Sequence, residues 1–420
     1  MNFRESEEYL YSLGNEVAAM KLGLENISRL LAALDNPQNN YLKVQVAGTN
    51  GKGSVCALLH SICNQAGIRT GTFTSPHLIS ITERIRINGG DIGEDDFARF
   101  ASVVKNAVDQ MIARGEAETP LTFFEQITAI ALIAFAEAKI EIAILETGLG
   151  GRLDATTAAQ AEIAAITRID LDHQEYLGET IGEIAAEKAA IIRQDSRVVI
   201  GPQRPEARAA TQERLDDVAN KGGNPAGTEG AIFVTEANVA HVNTLGLIGR
   251  HQQENAAIAV AVALILRESF TISEANINAG LAEAKHPGRL EYTGRFLFDG
   301  AHNPGGAKAL RDFLNESERR PVTLVFGAMQ DKNVAAMAAV LFPLAKGIVL
   351  TRPSNTRAME PEAILRSAPP EVDKSSVPLI NDVEKALAAA VEMTPAGGIV
   401  LVSGSLYLVG EAKQILKSQI

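Results

Sequence analysis

Residues 46–54 read Val-Ala-Gly-Thr-Asn-Gly-Lys-Gly-Ser, a glycine-rich stretch that contains one lysine. An apolar run, Tyr41–Ala47, leads into it and predicts a buried strand, while the residues from about Gly53 to Ala66 have a helical pattern. A Gly-rich turn between a strand and a helix is the context that a phosphate-binding loop needs. Glycines let backbone N–H groups approach a phosphate, and the helix N-terminus adds partial positive charge.

The side chains of this turn suit a nucleotide. Lys52 can neutralise the β- and γ-phosphates, and Ser54 offers a hydroxyl to the nucleotide or its metal. The match to the common pattern is imperfect, because Gly53 separates Lys52 from Ser54 and Val46 stands where that pattern has glycine. An ordinary Gly-rich turn therefore remains an alternative. The residues that we predict to bind nucleotide here are Gly48, Thr49, Asn50, Gly51, Lys52, Gly53 and Ser54.

Short apolar runs alternate with helical patterns along the chain, which predicts α/β domains with parallel sheets. A length of 420 residues favours two domains. The other elements predicted in the first part are a helix over Phe123–Ala138, strands over Glu141–Glu146 and Glu162–Thr167, a loop over Asn220–Gly230 and a helix over His251–Arg267. After the segment Lys285–Thr293, the predicted strands are Arg295–Phe298, Val322–Phe326, Gly347–Thr351, Val377–Ile380 and Gly398–Val402, with helices over Pro304–Asn315 and Val383–Met393.

Composition narrows the function classes. A formal net charge of -12 argues against a general affinity for nucleic acid or for an anionic membrane surface. Cys56 and Cys63 lie seven residues apart on one predicted helix, about 10 Å along its axis, so they are expected to be reduced, buried thiols of a cytoplasmic protein. The N-terminus lacks the pattern of a signal peptide. The apolar run Ala256–Leu266 is too short to span a bilayer.

A series of further motifs extends along nearly the whole chain in order. They are TSPHL (74–78), TERIRING (82–89), LTFFE (121–125), LETGLGGRLDAT (145–156), DHQEYLG (172–178), EKA (187–189), GRHQQEN (249–255), HPGRLE (286–291), DGAHNP (299–304), GAMQDKN (327–333) and SGSLYLVGE (403–411). Together with GTNGKGS (48–54), they make the chain resemble the folylpolyglutamate synthase and dihydrofolate synthase family, which belongs to the Mur ligase superfamily.

The resemblance implies an N-terminal ATP-binding domain over residues 1–286, an interdomain linker over 287–293 and a smaller, Rossmann-like domain over 294–420. It also implies an ATP-dependent ligase that joins L-glutamate to a carboxylate of dihydropteroate or of a folate. ATP would phosphorylate the carboxylate, and the amine of glutamate would attack the acyl phosphate. The expected cofactors are ATP and Mg²⁺ at two sites, and the expected protein is a monomer.

The same resemblance implies a set of metal ligands. Glu146 ends a predicted strand, where a carboxylate can meet a metal at the carboxyl edge of a sheet. His173 follows the next strand, and Thr74 can supply a hydroxyl, although its neighbour Ser75 is an alternative. Lys188 would be carbamylated, because an ammonium beside magnesium has the wrong sign of charge and a carbamate has the right one. The alternatives are a solvated strand end for Glu146, a helix-capping or surface histidine for His173, a turn hydroxyl for Thr74 and an exposed helical lysine for Lys188.

The remaining predicted residues bind nucleotide or substrate. Asn255, Arg289, Asp299 and His302 are the predicted nucleotide set, with Arg289 reaching the γ-phosphate when the two halves approach. Asp299 and His302 could instead cap the helix that begins at Pro304. The predicted acceptor-binding residues are Thr122, Phe123, Phe124, Glu125, Arg152 and Asp154. An exposed phenylalanine ring could stack on a pterin, but core packing of both rings is the alternative.

The predicted catalytic residues are therefore Lys52, Lys188, His173 and Arg289. Two other functions remain open. Another Mur-type ligase would act on a cell-wall nucleotide precursor, but it usually carries an additional N-terminal domain, and only about 40 residues precede the first predicted strand here. A regulatory ATPase without ligation would hydrolyse ATP with no dependence on an amino acid.

Overall fold

The computed structural model describes residues 1–14, 23–222, 230–240 and 244–418. Residues 223–229 of the predicted loop Asn220–Gly230 lie outside this part of the chain. Two compact units are present. The first consists of Met1–Ile169, Glu179–Gly246 and Glu254–Ala284, and the second of Asp170–Gly178, Leu247–Gln253 and Lys285–Ile420. The segments Asp170–Gly178 and Leu247–Gln253, which the sequence analysis placed in the N-terminal domain, thus group with the second unit.

Helices and strands alternate through both units, as the sequence pattern predicts. Up to residue 284 the helices are α1 (Phe3–Ser12), α2 (Glu25–Ala33), α3 (Lys52–Gln65), α4 (Glu94–Ala113), α5 (Phe123–Glu137), α6 (Gln174–Leu177), α7 (Ile181–Ala189), α8 (Pro205–Asn220), α9 (Glu236–Ala240), α10 (His251–Leu266) and α11 (Glu274–Glu283). The strands of this part are β1 (Leu42–Ala47), β2 (Thr70–Phe73), β3 (Ile85–Ile87), β4 (Gly90–Asp91), β5 (Ile142–Glu146), β6 (Ile163–Ile166), β7 (Arg197–Ile200) and β8 (Ile232–Phe233).

The rest of the chain has fewer elements. Its strands are β9 (Glu291–Thr293), β10 (Phe296–Phe298), β11 (Val322–Phe326), β12 (Gly347–Leu350) and β13 (Ile399–Ser403), and its helices are α12 (Pro304–Ser317), α13 (Val334–Leu341), α14 (Pro361–Arg366), α15 (Val383–Met393) and α16 (Leu406–Ser418). Short 3₁₀ turns lie at Pro37–Asn40, Ile81–Arg84, Ala155–Ala159, Phe342–Leu344 and Lys374–Ser376.

The sheet of the first unit has the order β4-β3-β2-β5-β1-β6-β7-β8. Strands β2, β5, β1, β6, β7 and β8 are parallel, and β3 and β4 continue the edge in antiparallel pairs. The chain leaves β1 through α3 to reach β2 on one side, whereas β6 lies on the other side, so the strand order reverses beside β1. Ligands of open α/β sheets bind at such a point.

Burial explains why the central elements form where they do. β5 is buried along its whole length and β1 is buried after Leu42, as expected of parallel strands that are covered on both faces. Helix α5 is apolar on nearly every side, and most of its side chains belong to the core of the first unit. A helix of this kind is stable only when neighbours surround it.

The second unit is built on the order β12-β11-β13-β10-β9, in which β9 alone is antiparallel among the described strands. The sequence analysis placed β9 in the linker. It pairs instead with β10 through a tight turn at Gly294, whose φ of 57° is in the left-handed region that suits glycine. The predicted fold class, two α/β domains with a smaller C-terminal sheet domain, is confirmed.

One predicted strand is wrong. Val377–Ile380 forms a single bridge, between Leu379 and Leu350, and does not continue the sheet. Pro378 lies within the run, and proline has no N–H to donate to a ladder of hydrogen bonds. The segment therefore stays beside the edge strand β12 without becoming a strand.

Cys56 and Cys63 are free and buried on α3, as the sequence analysis expected. Within the described residues, the helices do not combine the length and the apolar character that a membrane span requires.

The helix that follows the glycine-rich turn is positioned by a close backbone approach. A Cβ atom at Gly280 of α11 would lie 2.5 Å from Cα and 2.6 Å from the nitrogen of Ile62 in α3. We expect Gly280→Ala to lower stability by about 1–3 kcal/mol, because backbone atoms cannot move aside as a flexible side chain can. The measurement is the urea midpoint of unfolding.

Gly182→Ala is the matched control. Gly182 also lies in a helix, but its Cβ would meet nothing closer than an atom 4.0 Å away. Alanine there should be neutral or should stabilise by up to about 1 kcal/mol. Equal midpoints for the two variants would show that the contact between α11 and α3 is not tight.

Candidate active site

Three strands of the first unit end together beside the glycine-rich turn. Val46 of β1 is the register partner of Glu146 at the end of β5, and Ala47 is the partner of Ile166 at the end of β6. The N–H of Thr147 donates to Val46 O at 3.0 Å, and the N–H of Thr167 donates to Ala47 O at 2.8 Å. The turn after β1 therefore begins at a fixed point on the carboxyl edge of the sheet.

Two glycines give the turn its shape. Gly48 has a φ of 151° and Gly51 a φ of 95°. A Cβ at Gly48 would lie 1.9 Å from the hydroxyl oxygen of Thr167, and one at Gly51 would lie 2.2 Å from Oδ1 of Asn255. Any side chain at either position would collide with these neighbours, so only glycine fits.

The backbone of the turn is held by one carbonyl. The N–H groups of Thr49 and Asn50 both donate to Arg168 O, at 3.0 and 3.1 Å. These two amides support the loop. The N–H groups in the first turn of α3 lack intrahelical acceptors by helix geometry, an arrangement that can bind an anion. Gly51 is the N-cap and Lys52 the first residue of that helix. The amino group of Lys52 donates to Gly48 O at 3.2 Å, which folds this side chain back over the turn.

Glu146 lies at the same edge. It is 6% exposed, and its Oε2 accepts from the N–H of Ser75 at 3.2 Å. This contact brings the segment that carries the Thr74 and Ser75 hydroxyls to the Glu146 carboxylate. Burial and Glu146 raise the pKa of the Cys56 thiol, while Lys52 acts in the opposite direction, so both charges influence the same part of α3.

Lys188, on α7, is 4% exposed. The end of that helix lies against the loop that follows β5. A Cβ at Gly151 would lie 2.8 Å from Glu187 O and 2.9 Å from Lys188 O, and the N–H of Arg152 donates to Glu187 O at 3.0 Å. An exposed helical lysine, the alternative from sequence, is therefore excluded. Burying an ammonium is costly, and neutralising or inverting its charge removes that cost.

The described side chains include no ready-made cluster of three or more His, Cys, Asp or Glu groups for a metal. The predicted ligands of the first unit are instead one carboxylate, hydroxyls and Lys188. Carboxylate and hydroxyl oxygens suit Mg²⁺. The Lys188 amine fits this set only if carbamylation gives it oxygen atoms. His173 belongs to the second unit and is treated there.

The predicted acceptor-binding residues around α5 are mainly internal. Thr122 and Glu125 form a capping box, in which Thr122 Oγ1 accepts from the N–H of Glu125 at 3.2 Å and the N–H of Thr122 donates to Glu125 Oε2 at 2.8 Å. Phe123 and Phe124 are 1% and 7% exposed. The expected exposed phenylalanine is therefore absent from this pair, and the core-packing alternative describes both rings.

Asp154 and Arg152 have different environments. Asp154 is fully buried, and its Oδ2 accepts from the N–H groups of Gly148 and Leu149 at 2.8 and 2.9 Å. Burial raises the pKa of Asp154, which these hydrogen bonds oppose. The carboxylate thus holds the loop after β5 in shape. Arg152 is more than half exposed and pairs with Glu187 at 2.9 Å.

The second unit holds Arg289, Asp299 and His302 close together beyond the carboxyl end of β10. Arg289 Nη1 donates to Gly300 O at 3.0 Å, and His302 Nδ1 lies 2.8 Å from the same oxygen. Asp299 accepts from the N–H groups of Leu290 and Ala301. Burial raises the pKa of Asp299 and lowers that of His302 to about 4. Helix α12 is capped by Asn303, so the capping alternative for Asp299 and His302 is wrong.

The turn that carries His173 is fixed by a carboxylate that the sequence analysis did not single out. Asp172 accepts from Lys332 Nζ at 2.8 Å and from Asn303 Nδ2 at 2.9 Å, and His302 Nε2 lies 3.7 Å from it. Burial disfavours its charged form, but His173, Lys332 and His302 hold the pKa of Asp172 well below its usual range. Asp172 and Lys332 are 8% and 9% exposed in their side chains, so this is a buried ion pair.

His173 has the backbone conformation of a strained turn. Its φ is 51°, and its Nε2 lies 3.4 Å from Lys332 Nζ. Its residue type, its motif and its place after a predicted strand were visible in the sequence. Asp172, Asn303 and Lys332 lay in quoted motifs, but their contact could not be read from segments more than a hundred residues apart.

Comparison with known protein families matches both units. Residues 46–263 match the model of the Mur ligase middle domain, and residues 288–406 match that of the Mur ligase glutamate ligase domain. A dihydrofolate synthase/folylpolyglutamate synthase of Bacillus subtilis is 33% identical over 418 residues, covering 95% of this chain and 96% of that protein.

Some relatives are longer. A probable bifunctional folylpolyglutamate synthase/dihydropteroate synthase of Halobacterium salinarum is 34% identical over 98% of this chain. The chain spans about half the length of that relative, 51% of it.

Solved structures agree with the fold. A Mycobacterium tuberculosis folylpolyglutamate synthase complexed with ADP and AMPPCP has a TM-score of 0.87 and 28% identity, with 98% of each chain covered. An Escherichia coli protein in complex with DHPP and ADP has a TM-score of 0.84 and 28% identity, covering 100% of this chain and 98% of that one. A bifunctional folylpolyglutamate synthase/dihydrofolate synthase with Mn, AMPPNP and L-glutamate bound has a TM-score of 0.83 and 27% identity, covering 99% and 98%.

The Asp172–Lys332 pair yields a stability prediction. Asp172→Asn keeps the shape of the side chain but leaves the buried Lys332 ammonium with only Asp331, 3.5 Å away and partly exposed, as a counter-charge. Breaking a buried pair from one side typically costs about 3–5 kcal/mol. We therefore expect a clearly lower denaturant midpoint for the full chain at pH 7.

Asp217→Asn is the control. Asp217 pairs with Lys221 and Arg214 on α8, and its side chain is well exposed. Solvent screens such pairs, so the midpoint should barely change. A similar midpoint for both variants would contradict the view that Asp172 anchors its turn.

Proposed function

Because the chain belongs to the folylpolyglutamate synthase and dihydrofolate synthase family of Mur ligases, we propose that it is an ATP- and magnesium-dependent ligase that adds L-glutamate to a carboxylate of dihydropteroate or of a folate. The observation that carries this proposal is the turn after β1, shaped by Gly48 and Gly51 and placed beside the Glu146 carboxylate. Relatives over nearly the whole chain are synthases of this kind, and solved relatives have bound ADP, DHPP and L-glutamate.

The reaction has two chemical steps. A carboxylate oxygen of the acceptor attacks the γ-phosphorus of ATP, the bond to the β-phosphate oxygen breaks, and an acyl phosphate and ADP result. The amine of glutamate then attacks the acyl carbon, phosphate leaves, and the amine gives up a proton as the amide forms. The acceptor carboxylate is the nucleophile in the first step, so no serine or cysteine nucleophile is required.

The protein groups act by positioning and by charge. The first turn of α3 orients the phosphates, and Lys52 compensates the charge on the group being transferred. Arg289, in the second unit, is the proposed contact to the γ-phosphate, and Asn255 and Asp299 complete the nucleotide set. Asn255 is 6% exposed and lies against Gly51, so its amide is next to the turn.

Glu146, the Thr74 or Ser75 hydroxyl, His173 and a carbamylated Lys188 are the proposed ligands of two magnesium sites. Magnesium held by these residues would supply positive charge that stabilises the phosphate groups. The bifunctional assignment, with both dihydropteroate and folate as acceptors, is part of this proposal. So are the monomeric state and a cytoplasmic location, the latter because Cys56 and Cys63 are free thiols.

The decisive assay measures ADP release with dihydropteroate and glutamate supplied together or singly. We expect release only when both are present. Lys52→Ala should lower kcat by about 10²–10³, since one charged contact to the transferring phosphoryl group is lost. Lys105→Ala, which removes a partly exposed lysine of α4 that pairs with Asp109, should leave the rate unchanged.

Two outcomes would contradict the proposal. ADP release that is independent of glutamate would favour an ATPase without ligation. A near-normal kcat for Lys52→Ala would remove the phosphate-loop assignment.

A separate prediction concerns Lys188. If it is carbamylated, activity should fall when carbon dioxide is stripped from the buffer and should recover on adding bicarbonate. Lys188→Ala should lose activity and regain part of it with a short carboxylic acid, which can occupy the space of the carbamate. Initial rates at saturating substrate are the measurement.

Lys52→Ala serves as the matched control, because a carboxylic acid cannot replace a missing cation. Its rate should not respond to the added acid. Full activity of Lys188→Ala without any acid would refute carbamate ligation while leaving the ligase assignment intact.

A further inference from the structure

An exposed aromatic ring does lie beside the start of α5, but it comes from α1. Tyr11 is 51% exposed, whereas Phe123 and Phe124 are almost completely buried. The Tyr11 and Phe123 rings are stacked, with centroids 5.7 Å apart and planes at 10°. Tyr11 therefore presents the accessible aromatic surface that the two phenylalanines do not.

The Phe123 ring is itself fixed from another direction. The guanidinium carbon of Arg84, a residue that is 1% exposed, lies 5.2 Å from the centre of the Phe123 ring. Phe123 packs in the core of the first unit. The ring on which Tyr11 rests is thus part of a rigid support, and a stack on such a support loses little entropy when a ligand binds.

A hydrogen-bond chain fixes the other end of Tyr11. Arg84 Nε donates to His77 Nδ1 at 2.8 Å, and His77 Nε2 lies 3.4 Å from the Tyr11 hydroxyl. Arginine nitrogens can only donate, so His77 Nδ1 accepts and the ring proton resides on Nε2. His77 thus donates to the Tyr11 oxygen.

This chain also connects Tyr11 with the proposed metal ligands. His77 lies two residues after Ser75, whose N–H donates to Glu146 Oε2 at 3.2 Å. The exposed ring and the Glu146 carboxylate are therefore joined through one short segment of the first unit. An acceptor that is aromatic along its length and carries a terminal carboxylate has matching chemistry, with rings for stacking and an acid for the metal.

We propose that Tyr11 is a substrate-binding residue, whose exposed ring stacks on the aromatic system of the pteroyl acceptor. This inference rests on the proposed function and adds a contact from outside the sequence motifs. Parallel or offset stacking of a planar ring strengthens binding beyond the burial of apolar area. Tyr11 contributes this to acceptor binding and not to phosphoryl transfer.

The test is the KM of the acceptor for a series of Tyr11 variants of the full chain. Tyr11→Phe and Tyr11→Trp keep a stacking ring and should stay within about threefold of the wild-type KM for dihydropteroate. Tyr11→Leu and Tyr11→Ala should raise it about tenfold, which corresponds to about 1.4 kcal/mol. The KM values for ATP and glutamate, and kcat, should change little in every variant.

Tyr11→Leu separates stacking from packing, because leucine keeps apolar bulk against Phe123 but has no π-system. A wild-type KM for this variant would overturn the inference, and so would an equal rise in the KM of all three substrates. Tyr9→Ala is the matched control on the same helix. Its hydroxyl donates to Gln126 at 3.0 Å, away from His77, and its loss should leave the KM for dihydropteroate unchanged.

Thermal midpoints of all variants identify any that fail to fold. If Tyr11→Ala does not fold, Tyr11→Leu and Tyr11→Phe still give the decisive comparison. Wild-type protein that releases no ADP with dihydropteroate and glutamate would overturn the proposed function together with this inference. An active wild type whose Tyr11→Leu variant has a normal KM would overturn the inference alone.

Discussion

The carbonyl of Arg168 is the acceptor on which the site of the first unit depends. Arg168 lies just after β6, and its carbonyl oxygen accepts from the N–H groups of Thr49 and Asn50, which lie just after β1. This single oxygen makes the loop turn back at the sheet edge, and the left-handed conformations at Gly48 and Gly51 follow from that path. With the loop so placed, Lys52 begins α3 and Asn255 closes over Gly51. The proposed nucleotide site is thus organised by backbone geometry before any side-chain charge acts.

Buried charge is the second organising feature. Glu146, Lys188 and Asp172 are each less than a tenth exposed. Ions at such positions must be compensated, because the protein interior solvates them poorly. Asp172 is compensated within the second unit by Lys332. The proposed carbamate and magnesium would provide compensation around Lys188 and Glu146. Sites that stabilise transferring phosphoryl groups need fixed charges of this kind, since mobile ones would have to reorganise during the reaction.

The sequence correctly predicted those features that depend on residues close together in the chain. The strand, turn and helix around Gly48–Ser54 follow from local conformational preferences, and so does the burial of Cys56 and Cys63 on one helix. Exposure of single side chains depends instead on what other segments cover. From the sequence, Phe123 or Phe124 could have offered an exposed ring for stacking. In the structure, residues of α1 and β2 pack against these rings. Tyr11 belongs to no motif, and its exposure becomes visible only when α1 is placed beside α5.

Chain order has a further consequence for the pair Asp172 and Lys332, which are 160 residues apart. On the ribosome, the turn after β6 emerges long before its partner is synthesised. At about 5–20 residues per second, the delay is roughly 8–30 s. During this time the Asp172 carboxylate remains in water, where a charged group is well solvated. The first unit can already assemble its sheet. The second unit cannot complete its fold until nearly the whole chain has left the tunnel, so a translation product that ends before Lys332 would lack the cation that allows the Asp172 carboxylate to be buried.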